Sequence, residues 1–202
     1  MQKQLAEIID SLESAQSRLR HLSDGISEDA LNRHPAPGRW SAADCVEHLN
    51  LTSRAYLPLL RDASVEARQL GGDPVTRYRK DALGSIMSMM IGPMHHLGKL
   101  RLVKVKTTPP FLPQGGQSRT ALLSEFVRLQ GDIITLIRAA DGLPLDRVKI
   151  VSPFGGRMKY SAYSALVIIP RHQHRHIDQA QEAAGQSGRG EGPVTVKGRG
   201  GR

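Results

Sequence analysis

The chain has 202 residues, 39% of them hydrophobic and 23% charged, which gives one globular domain room for a substantial core. No apolar run approaches the ~18 residues of a membrane span, MQKQLAEIID lacks the apolar stretch of a secretory signal, and one cysteine excludes an internal disulfide framework. The net charge of +9 invites a nucleic-acid reading, yet four basic residues and one acidic fall in QSGRGEGPVTVKGRGGR at the C-terminus.

Residues 2–22 carry apolar side chains at Leu5, Ile8 or Ile9, Leu12, Ala15, Leu19 and Leu22, the spacing of a helix with one buried stripe. SDGISEDALNRHPAPGR, with two prolines, reads as a turn-rich connector. A second helix starts at WSAADC. Ser41 is a good N-cap, Asp44 completes a capping box, and Trp40 is placed to staple onto Cys45. Leu49, Leu51, Ala55 and Leu59 are expected to continue its apolar side.

Residues 65–117 are too many for a structureless loop. DPVTRYRKDALGSIMSMMIGPMHHLGK is expected to hold a short helix broken at Gly92-Pro93, and VKVKTTPPF an extended piece. Leu122, Phe126, Leu129, Ile133 and Leu136 mark a third helix over 119–139, stopped by DGLPLD. SPFGGRMKYS reads as a turn with a short strand-like entry, and a fourth helix is expected from about Ser161 to Ala184. The pattern is all-α: a four-helix bundle over residues 1–184 with a long crossover between helices 2 and 3. Residues 185–202 read as a disordered Gly/Arg-rich tail.

PRHQHRHIDQA concentrates three of the eight histidines. His172 and His176 are i, i+4 and share a helical face, whereas His174 lies about 200° round the helix from His172. Ala162, Ala165, Ile169, His172, His176 and Gln179 follow one side, so the pair continues an apolar stripe inward. Buried imidazoles need a hydrogen bond, a partner or a metal. A third ligand is available in His48, two turns into the second helix. His34 in a proline-flanked loop, His21 at a helix end and the adjacent His95–His96 are poorer candidates. Gln173 stands where a zinc-protease helix has its glutamate, which argues against that chemistry. Pro170 falls two residues before His172, where a kink is expected.

PGRWSAADCVEHL resembles the second-helix signature of the DinB-like (YfiT-like) superfamily, a Trp-Ser pair followed by a histidine. HQHRHIDQA resembles its fourth-helix signature, matched by His172, His176 and Gln179. The resemblance implies a four-helix bundle holding a divalent metal on His48, His172 and His176. It also implies a thiol-dependent transferase or isomerase working with a low-molecular-weight thiol as co-substrate. Zinc or nickel suits three imidazoles. Three nitrogens leave a position open, where a thiol or water would be activated for attack on a small electrophile.

No general base stands out. Asp44 is weighed between second-shell partner of His48 and capping, and capping is preferred. Cys45 is read as a small buried hydrophobe rather than a nucleophile. Tyr160 and Tyr163 would line a pocket or pack. The methionines at 87, 89, 90 and 94 read as adaptable packing or a lid rather than a copper site. The expected partner is a small-molecule substrate, with a homodimer conceivable, no membrane and a cytoplasmic address. The rival readings are a non-catalytic metal-binding or stress-related bundle protein, and a basic protein that contacts nucleic acid through its tail.

Overall fold

The computed structural model describes residues 1–91, 107–155 and 158–185. Their elements, in chain order, are α1 (Lys3–Asp24), α2 (Glu28–Asn32), α3 (Ala42–Leu70), α4 (Ala82–Ile91), a 3-10 turn (Pro109–Phe111), α5 (Arg119–Ala139), β1 (Lys149–Val151), β2 (Lys159–Ser161) and α6 (Ala162–Ala183). The fold is all-α apart from the β1–β2 hairpin, in which Ile150 pairs with Tyr160. No helix among the described residues is long and apolar enough to cross a membrane.

Local chemistry starts the long helices. Ser41, Ser118 and Ser161 cap α3, α5 and α6, their hydroxyls accepting the N–H groups of Asp44, Ala121 and Ser164; such caps contribute about 1 kcal/mol each. At Ser41 the box is complete, because the Asp44 carboxylate accepts the Ser41 N–H at 2.9 Å. The short α2 lies in the stretch read as a connector. Ser27 caps it, Glu28 and Asp29 occupy its first turn, and only Leu31 is buried. One apolar anchor leaves no periodic trace in the sequence.

Packing places α1 and α3 each against α5 and α6, so these pairs sit across the diagonals of a four-helix bundle. The stripe foreseen on α1 is buried throughout, as is that on α5. On α3 the expectation needs correction. Leu49 is buried, but the face continues through Thr52, Ser53, Tyr56, Leu57 and Leu60, while Leu51, Ala55 and Leu59 stay half-buried. Because α3 lies between two helices it buries a wide face, including polar residues that an apolar pattern does not mark.

The crossover carries α4, which packs on α6. Asp81 accepts the Gly84 N–H and the Ser164 hydroxyl, and ion-pairs with Lys149 at 2.5 Å, tying helix, hairpin and α6 together. At Gly84 a Cβ would meet the Ser164 hydroxyl at 2.2 Å, so only glycine permits this approach. At the other end Arg171 and Arg175 donate to the carbonyls of Ser88 and Met90, which closes the α4 C-terminus. The expected break at Gly92-Pro93, together with Met94, His95–His96, Val103–Lys106 and the tail from 186 onward, lies outside the described residues.

The apolar interior divides into two clusters. One runs through Leu5, Ile9, Tyr56, Leu60, Ile133, Ile137 and Ile169. The other runs through Leu19, Leu22, Cys45, Leu49, Phe126 and Ile177. Between them on three helices stand polar residues: His48 on α3, Gln130 on α5, and His172, Gln173 and His176 on α6. Gln130 and Gln173 exchange reciprocal amide bonds of 3.0 and 2.8 Å, and Gln130 also donates to the Leu12 carbonyl. This pair ties α1, α5 and α6 at one height. Gln130→Ala strands the Gln173 amide, removes the added bond to the Leu12 carbonyl and leaves a void, so we expect a loss of roughly 2–4 kcal/mol in urea unfolding. Gln130→Glu is expected to cost at least as much, because it buries a charge.

Candidate metal centre

His48 occupies the second turn of α3 beyond its capping box, and His172 and His176 lie one turn apart on α6. Pro170 sits inside α6, which continues as one helix to Ala183. The pair still converges on His48. His48 Nε2 lies 3.3 Å from His172 Nε2, and one ring nitrogen from each of the three histidines falls within 4.8 Å of the others. Their ring centroids stand 4.5–5.1 Å apart. The three residues named from sequence are thus brought together.

A neutral imidazole has one N–H and one bare nitrogen. His48 Nδ1 faces the Phe111 carbonyl at 2.8 Å, which makes it the donor and leaves Nε2 without a proton. His176 Nδ1 is buried and has no hydrogen-bond partner among the described residues. Burial holds all three rings in the neutral form. It lowers His48, against the opposing Phe111 carbonyl. His172 is pushed well below its ordinary value, first by burial and then by His176, His48 and Arg175. His176 comes down to about 3, by burial first and then His48 and Arg175, against the hydrogen bond it donates to Gln179.

Aromatic rings surround the cluster. Trp40 leans on His48 and His176 with centroids at 4.9 and 5.8 Å, and Phe154 lies 5.6 Å from His172 and 5.1 Å from Phe111. Sequence reasoning assigned Trp40 to a staple on Cys45. The ring does pack beside the cluster that contains Cys45, but it also forms a wall of the histidine site. Phe111 and Phe154 were not foreseen, since they come from connecting segments whose path the pattern does not fix.

The remaining candidates fall elsewhere. His174, about 200° round the helix from His172, points away from the trio as that angle implies, and it is half-buried and bonded to Ser11 and Arg18 of α1. His21 and His34 are exposed. Asp44 is spent on the cap and lies 3.4 Å from His34. Cys45 is buried, and its thiol is pushed up by burial first and then by Asp44 and Glu182, which suits a packing role. Tyr160 shares a 2.6 Å hydroxyl contact with Tyr56, and Tyr163 stacks on Tyr78. Both pack. Met87 packs on the core, whereas Met89 and Met90 are exposed.

Residues 11–180 match the model of the DinB superfamily (DinB_2), and the chain belongs to that superfamily. No curated protein and no solved structure matches it.

The depressed histidine values fix a sign. Folded values below the unfolded value of about 6.5 mean that the unfolded chain binds more protons as the pH falls, so stability present above that pH is lost below it. Metal-free protein is therefore expected to unfold at lower urea at about pH 5 than at about pH 7, with His174 contributing in the same direction. Replacing His172 and His176 together by Asn should flatten that dependence. A dependence of unchanged steepness would place its origin elsewhere.

Proposed function

We propose that His48, His172 and His176 hold one divalent cation, and that the protein is a metal-dependent enzyme directing a low-molecular-weight thiol, or water, at a small electrophile. One observation carries this reading: three neutral imidazoles from two helices converge, with no carboxylate among them. The donor set fits an ion. Two nitrogens at ~2.0–2.1 Å from a tetrahedral zinc stand about 3.3–3.4 Å apart, and the His48–His172 separation is 3.3 Å. The orphaned nitrogen of His176 supplies a third donor. Membership of the DinB superfamily, a metal-binding group, supports the same assignment.

Zinc and nickel both suit this donor set. With three protein ligands, the ion would leave a position at which a thiol or water loses its proton near neutral pH. The chain's own residues do the rest. The His48–Phe111 bond fixes ring orientation, Trp40 and Phe154 keep the surroundings apolar, and Arg175 adds positive charge near His172 and His176.

A second reading, a metal-binding bundle without turnover, has one observation in its favour. Among the described residues, two clefts of about 190 and 260 Å³ lie along Glu47 rather than over the histidines. Turnover separates the two readings. Protein purified without added metal is expected to carry close to one equivalent of zinc or nickel. His48→Ala, His172→Ala and His176→Ala should each weaken binding by on the order of a hundredfold or more. Trp40, the only tryptophan, should report loading through its fluorescence. Equal metal content in wild type and all three variants would falsify the site. Loaded wild type that never couples a small thiol to an activated aryl chloride would leave the bundle without turnover as the reading.

A further inference from the structure

Glu47 and His48 are consecutive on α3, and both grip the segment that follows the 3-10 turn. His48 Nδ1 donates to the Phe111 carbonyl. The two Glu47 carboxylate oxygens accept the N–H groups of Gln114 at 3.1 Å and Gly115 at 2.9 Å. Glu47 is only 6% exposed, so a carboxylate has been taken out of water to make these two bonds. Gly115 and Gly116 adopt φ of 73° and 79°, a region that lets the backbone reverse beside the carboxylate. Both clefts are lined by Glu47 and by residues of this segment, and residues 114–118 are exposed, so side-chain packing gives the segment little support there.

We infer that Glu47 is a positioning residue for His48. By holding Gln114 and Gly115 it keeps the Phe111 carbonyl against Nδ1, and that contact selects the tautomer whose bare Nε2 faces His172. A carbonyl accepts from N–H alone. If the segment drifts, the Nδ1–H form loses its stabilising partner, the proton redistributes between the ring nitrogens, and the lone pair at Nε2 is no longer guaranteed. The carboxylate thus acts on the site through a backbone carbonyl, two bonds removed from the imidazole it serves.

The consequence for metal affinity rests on the proposed ion site, whereas the tautomer can be read without any metal. Long-range ¹⁵N–¹H spectra of the metal-free protein are expected to show His48 as a single Nδ1–H form in wild type. In Glu47→Gln and Glu47→Ala it should become a mixture. Cobalt(II) titrated against a competing chelator should bind Glu47→Gln and Glu47→Ala more weakly by about tenfold to a hundredfold, with altered visible absorption. Asn50→Ala is the control. It removes a bond from α3 to the Leu122 carbonyl, so it lowers stability but should leave the tautomer alone. A pure Nδ1–H form in the Glu47 variants overturns the inference, and so does wild-type affinity in a protein that binds cobalt. Failure of wild type to bind cobalt sinks the metal site instead, and the tautomer then decides the role of Glu47. If the alanine variant does not fold, the near-isosteric glutamine variant settles it.

Discussion

Three clustered imidazoles, one buried and two half-buried, are held neutral, and this one constraint organises the middle of the bundle. A protonated ring there would carry a charge that no anion among the described residues meets. The fold therefore has to supply acceptors, lone pairs and apolar cover at the same height on facing helices. It does so where the interior passes from one apolar cluster to the other. Gln130 and Gln173 satisfy each other at that level, and the histidines meet each other and the Phe111 carbonyl. A layer of this kind is intolerant of slippage, since sliding α6 by a turn would bury unpaired amides among leucines.

The elements around the layer hold α6 still. Ser161 caps its start, Asp81 accepts the hydroxyl of its third residue, Ser164, and Arg18 of α1 binds Asp178 and Gln181 near its far end. Arg171 and Arg175 flank the two site histidines in sequence and turn outward to close α4. One helix thus shows histidines to the interior and arginines to the crossover. The Arg175 guanidinium also helps to keep His172 and His176 uncharged.

A divalent cation suits such a site better than a proton does. Neutral nitrogen donors lose little on leaving water compared with carboxylates, and an ion bound to them keeps its full charge. That residual charge, set among aromatic rings, would be a strong polariser of any small nucleophile that reached it.

Much of this was legible in the sequence for local reasons. Serine caps, a capping box and apolar residues three and four apart are short-range signals, so α1, α5 and α6 and the start of α3 follow from the chain alone. The i, i+4 spacing placed His172 and His176 on one face and turned His174 away, because helical geometry is the same in any fold. His48 was singled out as the third ligand by weighing the other histidines against it, and the resemblance of two signatures supported that choice, since nothing within one helix says which other helix will lie opposite. Tertiary structure alone decided the rest: the wide buried face of α3, the aromatic wall of Trp40, Phe111 and Phe154, the clamp on α4 and the backbone carbonyl behind His48. Each depends on where a connecting segment travels or which backbone atom it presents, and those outcomes are set by packing across the bundle rather than by any periodic pattern along the chain.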